Sequence, residues 1–185
     1  MLERSERQIL KGIKEGNPEA FTAIVDRYYK SVYSLLAYLS RDKHFAEDLT
    51  QDTFTSAWTN IRDYKGRASL KTWLHRIAYN KFLDSERKLK QTSGLISGIK
   101  GNGIKVQNGS DPLNEITQDE HSRILFDAMQ KLGPDEYAVI VLHYIQGFSY
   151  REIAEVLNEP AGTVKWRTSR AIEKLRETLT DRIEK

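Results

Sequence analysis

Apolar positions recur at helical spacing along most of this chain, and the places where the spacing fails divide it into elements. A first helix is predicted from about Glu3 to Glu15. Gly16-Asn17-Pro18 ends it and opens the next, since Asn17 can accept a backbone N–H and Pro18 fits the first helical turn. Phe21, Ile24, Val25, Tyr28, Val32, Leu35, Leu36 and Leu39 then mark one buried side as far as about Ser40. After a break near Arg41-Asp42, a third helix is expected from about His44 to Ile61. Its apolar side carries Phe45, Leu49, Phe54, Ala57, Trp58 and Ile61; Asp48, Gln51, Asp52 and Thr55 form a stripe opposite. A basic loop, Arg62 to Ser69, leads to a fourth helix from Leu70 to about Lys90, with Leu70, Trp73, Leu74, Ile77 and Ala78 inward.

The periodicity then stops. Gln91 to Pro112 holds five of the chain's eleven glycines among Ser, Asn and Thr, the composition of a flexible linker. Helical spacing resumes from Asn114 to Lys131 through Ile116, Ile124, Leu125 and Met129. Gly133-Pro134 breaks it. Asp135 to Gln146 is a further helix with Val139, Ile140 and Leu142 buried, closed by Gly147. No alternating strand pattern and no internal repeat is present. The expected fold is all-α: two small helical domains, residues 1–90 and 114–185, on a flexible linker at 91–113.

The second domain ends in a stretch of particular interest, FSYREIAEVLNEPAGTVKWRTSRAIEKLR, Phe148 to Arg176. Ser149 can cap a short helix, Tyr150 to Leu157, with Ile153, Ala154 and Leu157 on its apolar face. Asn158-Glu159-Pro160 stops it, because proline cannot continue a helix and restricts the residue before it. Gly162 and Thr163 open a second helix with Val164, Ala171, Leu175 and Leu179 inward and Thr168 interrupting the row. Lys165, Arg167, Arg170, Lys174 and Arg176 oppose one acid, Glu173. This is a helix-turn-helix pattern, whose second helix can enter the major groove by its N-terminal turns. Two amphipathic helices around a proline turn also occur in plain bundles; the cations opposite the apolar stripe favour DNA.

Charge distribution changes the picture more than total charge. The net charge is only +3, but residues 1–88 carry 16 basic and 12 acidic side chains and residues 118–185 carry 10 and 12. The second domain is thus acidic overall around one basic helix, which suggests a directed electrostatic face. The absence of cysteine excludes disulfides and thiolate metal sites and fits a reducing compartment. The N-terminus lacks the apolar run of a signal peptide, and no run approaches the ~18 apolar residues of a membrane span.

Two further surfaces stand out. The carboxylate stripe of the third helix is expected to serve as a solvated face or a dock for a basic partner; no histidine pair or phosphate-binding loop accompanies it to support metal or acid–base chemistry. In the fourth helix, Arg76, Asn80 and Arg87 share a face with Asp84 beside it. From Lys71 to Lys90 six basic residues oppose two acidic ones, with aromatics interleaved. Such a track suits single-stranded nucleic acid, where rings stack on bases and cations follow phosphates. Trp73 is expected to be a core aromatic; Tyr64 and Tyr79 can serve either the core or a base. No catalytic residue and no cofactor is indicated.

AFTAIVDRYYKSVY, AEDLTQDTFTSAW and SLKTWLHRIAYNKFLDSERK, followed beyond the linker by LGPDEYAVIVLHYIQGFSYREIAEVLNEPAGTVKWRTSRAIEKLR, resemble successive segments of the bacterial sigma-70 family, in its small extracytoplasmic-function (ECF) type. The resemblance covers nearly the whole chain outside the linker. It implies a non-enzymatic, cytoplasmic subunit that joins the RNA polymerase core and directs it to promoters. Asp48, Gln51, Asp52 and Thr55 would grip the coiled coil of the largest core subunit, and the second domain would meet the core's flap. Tyr64, Lys65, Arg76, Asn80, Asp84, Arg87 and Lys88 would bind the melted −10 element. Thr163, Lys165, Trp166, Arg167, Ser169, Arg170 and Lys174 would read the −35 element as duplex. An anti-sigma factor is a further implied partner, able to hold the protein at the membrane without its inserting there. Five positions depart from the family's usual pattern: Trp166, Thr168, Ile172, which often corresponds to a polar or basic residue, Lys81, and Ala138, which replaces a commonly basic one. Trp166 replaces a small polar residue and either touches a thymine methyl or packs on a neighbouring helix. Thr168 occupies an apolar position, and Lys81 falls on the inward face of its helix, from which its stem can snorkel. The alternative is a stand-alone helix-turn-helix regulator that binds duplex DNA without polymerase core. The linker suits the first reading: about 25 residues span up to ~85 Å, and elements one and a half DNA turns apart lie roughly 50 Å apart.

Overall fold

The structure, a computed structural model, describes residues 4–15, 17–96 and 120–183. The expected linker beyond Ile96 and the expected helix start at Asn114, with Ile116, lie outside the described residues. The chain divides into two compact units, Met1–Ser110 and Asp111–Lys185.

The first unit contains α1 (Arg4–Lys14), α2 (Pro18–Ser40), α3 (Lys43–Asn60), a single 3-10 turn (Ile61–Asp63) and α4 (Leu70–Ile96). Local chemistry sets the boundaries. The Asn17 side chain accepts the Glu19 N–H at 2.9 Å, and Pro18 takes the first turn of α2. Arg41 closes α2 in the left-handed region at φ 58°, donating its N–H to the Ala37 carbonyl. Asp42 then caps α3 by accepting the Phe45 N–H at 3.0 Å. Ile24, Val32, Leu35 and Leu36 of α2 meet Leu49 and Ala57 of α3 and Leu70, Leu74 and Ala78 of α4, all buried. Each large aliphatic side chain among them contributes roughly 1.5–3 kcal/mol by leaving water.

The buried polar groups of this core are partnered. The Thr50 and Thr53 hydroxyls donate to the Ala46 and Leu49 carbonyls one turn back, at 2.6 and 2.7 Å. His75 is fully buried, with Nδ1 at 2.8 Å from the Lys71 carbonyl and Nε2 at 2.9 Å from the Ser31 hydroxyl. A carbonyl can only accept, so Nδ1 carries a proton and donates to Lys71, while Nε2 is paired with the Ser31 hydroxyl. The Tyr28 hydroxyl donates to the buried Glu6 carboxylate, tying α2 to α1.

Two expectations for this unit need correction. Trp58 does not lie on the inner side of α3: it is 47% exposed, in an edge-to-face contact with Phe21 at 5.0 Å between ring centroids. Threonines explain the shift. Thr50 and Thr53 return their hydroxyls to the helix and are buried with Ala46, Leu49, Phe54 and Ala57, so the buried stripe is rotated away from Trp58. Second, α4 runs six residues past Lys90, the expected end, into the segment assigned to the linker.

The second unit comprises α5 (Glu120–Met129), α6 (Pro134–Ile140), which continues as a π-helical turn at Val141–Ile145, α7 (Tyr150–Leu157) and α8 (Ala161–Ile183). Gly133 precedes α6, and its N–H donates to the Glu136 carboxylate at 3.1 Å. Gly147 adopts φ 71° after the π turn, a conformation that a side chain would strain. Ser149 and Glu152 form a reciprocal cap on α7. Asn158 ends α7 in the left-handed region at φ 56°, which asparagine tolerates, and the chain turns into α8. Val139, Ile140, Val141, Leu142, Phe148, Ile153, Val156, Val164 and Ala171 form the core. Thr168 joins it fully buried, its hydroxyl satisfied by the Val164 carbonyl at 2.9 Å. Leu125 is 45% exposed on α5, while Met129 is buried. No helix among the described residues is long and apolar enough to cross a membrane.

Candidate nucleic-acid interface

In α8 the expected reader residues separate into two groups. Lys165, Trp166, Ser169 and Arg170 are exposed on the outer side of the first turns, and Thr163 is half-buried at the start. Arg167 and Lys174 are instead engaged by acids of the same unit. Arg167 is only 15% exposed, with one guanidinium nitrogen 2.5 Å from Glu159 in the turn and another 3.9 Å from Asp135. Lys174 Nζ lies 2.6 and 2.7 Å from the two carboxylate oxygens of Glu136. That hydrogen bond is the main reason the Glu136 carboxyl is held below the usual carboxylate range, against an opposing contribution from desolvation. Two of the five cations counted in the sequence thus brace the helix-turn-helix. The signal was present in the acids Glu159 and Glu136, but nothing in helical periodicity pairs residues 38 apart in sequence.

In α4, Arg76, Asn80, Asp84 and Arg87 all reach solvent along one side of the helix. Arg87 pairs with Asp84 at 3.2 Å, both side chains well exposed, which orders the guanidinium without burying it. Lys88 is exposed near the end of this row and Lys65 is exposed in the preceding loop.

Tyr64 does not present a stacking face. Its ring is buried against Trp73 at 5.1 Å, and its hydroxyl donates to the Ala68 carbonyl at 2.6 Å. Burial, and secondarily the Glu6 carboxylate, push its pKa up to about 12. Tyr64 therefore pins the loop from inside, with Gly66 at φ 67° turning the chain around it and Lys65 and Arg67 outward. Tyr79 is likewise a core residue, 7% exposed.

The stripe on α3 is laid out as expected: Asp48, Gln51, Asp52 and Thr55 are all exposed. Beside it lies an aromatic surface that the pattern did not indicate. Trp58 follows Thr55 by one turn, and Tyr29 of α2, 40% exposed, lies flat against Phe54 at 6.1 Å and Tyr33 at 6.3 Å. Among the described residues no three His, Asp or Glu side chains gather as metal ligands.

Known proteins match this arrangement in both units. Residues 24–92 match the family described as sigma-70 region 2, and residues 122–175 match sigma-70 region 4. The ECF RNA polymerase sigma factor SigW of Bacillus subtilis is 37% identical over 97% of this chain and all of its own length. The ECF RNA polymerase sigma-E factor of Haemophilus influenzae is 31% identical over 91% of this chain and 92% of its own. Among solved structures, RpoE of Bartonella quintana, in complex with the anti-sigma factor NepR, superposes with a TM-score of 0.69 at 28% identity. That match covers 86% of this chain and 96% of RpoE. CnrH, bound to the cytosolic domain of CnrY, shares the fold at the same TM-score and 24% identity. Two family segments in the same order, and relatives that align from end to end, leave one assignment: the chain belongs to the ECF RNA polymerase sigma factors of the sigma-70 family.

Proposed function

We propose that the two units hold one promoter in two different states while the first also holds the polymerase core. The observation that carries this is the presence of three exposed surfaces of distinct chemistry, one on each of α3, α4 and α8. On α3, Asp48, Gln51, Asp52 and Thr55 present acids and amide to a basic coiled coil of the largest core subunit, with Trp58 and Tyr29 as an apolar flank. Charge there contributes orientation and association rate, and the aromatics contribute buried area.

On α4, Arg76, Asn80, Asp84 and Arg87, with Lys65 and Lys88, form the track for the −10 strand once it is opened. Holding flipped bases needs pockets and cations and no covalent chemistry; contacts to the opened strand offset an unstacking cost of a few kcal/mol per step. On α8, Lys165, Trp166, Ser169 and Arg170 face the −35 duplex, where a helix fits the major groove. Arg167 and Lys174 hold the helix in place through Glu159, Asp135 and Glu136. The protein acts as a non-enzymatic initiation subunit and takes an anti-sigma factor as a further partner, a reading supported by the complex of RpoE with the anti-sigma factor NepR.

The test is association with purified polymerase core. Wild type is expected to bind, and Asp48→Lys combined with Asp52→Lys to bind at least tenfold more weakly while keeping its helical signal. Failure of the folded wild type to bind core would favour the stand-alone regulator instead.

A further inference from the structure

Trp166 is the most exposed large apolar side chain among the described residues, at 63%. Its place in α8 is specific. At ~100° per residue it points roughly opposite the buried row of Val164, Thr168, Ala171 and Leu175. One turn before it on the same side stands Gly162, where an added Cβ would meet nothing within 4 Å. One turn after it stand Ser169 and Arg170, both exposed. Arg167 and Lys174, on the flank of this face, are turned to Glu159 and Glu136, and Lys165 is exposed next to Trp166. An indole therefore occupies the centre of the outer face, with open space on its N-terminal side and a guanidinium beside it.

We infer that Trp166 is a specificity-determining residue that recognises a thymine in the duplex element; this rests on the reading of α8 as the duplex reader. Indole offers an apolar body and a single N–H donor with no acceptor. In the major groove thymine alone combines a methyl group with an acceptor, O4, whereas cytosine presents an amino donor there and no methyl. Indole matches the first and clashes in hydrogen-bond sense with the second. Arg170, four residues on, carries the fork that pairs with guanine O6 and N7. Side chains four apart on a helix are separated by ~5–6 Å, against 3.4 Å per base pair. The recognised thymine thus lies within about two base pairs of the guanine. Glu173, next on the same side, places a carboxylate where the helix must leave the phosphates, so only the first turns enter the groove.

The methyl can be removed by itself. Full-length protein bound to polymerase core is titrated with duplexes carrying the upstream element selected from a random library. Each thymine is replaced in turn by deoxyuridine, which lacks only that methyl. At one thymine the replacement is expected to weaken wild-type binding about fourfold, the equivalent of one buried methylene. Trp166→Ser is expected to bind the two duplexes equally, and Trp166→Phe to retain part of the discrimination. Indifference of wild type to every replacement, or equal discrimination by Trp166→Ser, would overturn the inference. So would a Trp166→Ser variant that loses core association while keeping the methyl effect, since that would make Trp166 a protein contact. Sequence preference without methyl dependence would remove this inference alone; absence of any sequence preference would remove the duplex-reading role and this inference with it.

Discussion

Glu136 offers a sharp test of the claim that α8 spends part of its charge on its own scaffold. Its carboxylate accepts two short contacts from Lys174 and also caps α6 through the Gly133 N–H. Glu136→Gln removes the charge and keeps an acceptor for the cap. A hydrogen bond to a charged group is worth about 1.5–3 kcal/mol. Because the Lys174 side chain is 44% exposed, water screens the pair, and about 1 kcal/mol is the better figure. Glu136→Ala also removes the cap, adding about 1 kcal/mol more. Hydrogen exchange of α6 and α8 amides at pH 7 reads this unit by itself; a loss of 1 kcal/mol lowers protection about fivefold.

The pH dependence has a definite sign. Glu136 is held below its ordinary value of 4.5, so its contribution is complete above that pH and disappears as pH falls through the folded value. The difference in thermal stability between wild type and Glu136→Gln should therefore be largest at neutral pH, begin to shrink near pH 4.5, and vanish in stronger acid. A gap that persists undiminished in strong acid would refute the charge argument, as would a neutral-pH stability identical to wild type. Glu136→Gln also releases Lys174, so the salt dependence of duplex binding is expected to steepen by up to about one phosphate contact.

Three other substitutions address the remaining surfaces. Tyr64→Phe is expected to cost about 1 kcal/mol in unfolding, from the lost hydrogen bond to Ala68, and to leave affinity for single-stranded −10 DNA unchanged. A selective loss of single-strand binding would put the Tyr64 ring back on a base. Arg170→Ala is expected to weaken the best −35 duplex by ~1–3 kcal/mol and non-cognate duplexes much less; equal weakening of both would assign it to a phosphate. Asn80→Ala is expected to preserve −35 binding and impair opening, read as permanganate reactivity of the −10 thymines; normal reactivity would remove Asn80 from the melted-strand track.

What was legible in the sequence were the features that act within a few residues. Asn17-Pro18, Gly133-Pro134, Ser149 and Gly147 are local signals, and each marks a helix boundary in the structure. Long apolar rows likewise identified most of the core, because helix burial has the period that the pattern measures. Misreadings arose where a side chain does something its class does not suggest. Thr50 and Thr53 count as polar but bury by bonding backward, which displaced Trp58 to the surface. Tyr64 lies in a basic loop that favours a surface reading, yet its hydroxyl finds a carbonyl inside that loop.

The candidate surfaces divided along the same line. The exposed rows on α3 and α4 follow from helical spacing, and Asp48, Gln51, Asp52, Thr55, Arg76, Asn80, Asp84 and Arg87 reach solvent accordingly. Pairings such as Arg167 with Glu159 and Lys174 with Glu136 depend on tertiary placement. So does the burial of His75 between Ser31 and Lys71. Continuation of α4 past Lys90 was obscured because glycine and serine lower helix propensity without forbidding a helix that is already nucleated.

One complex tests the central claim directly. Polymerase core, this protein and a cognate promoter are combined, and a single sample is probed at both elements, by footprinting upstream and by permanganate near the start site. The account predicts protection of an upstream duplex that stays unreactive to permanganate, together with reactive thymines downstream, both lost when the protein is omitted. Protection of the upstream element with the downstream thymines unreactive, or opening that proceeds equally well without the protein, would contradict it.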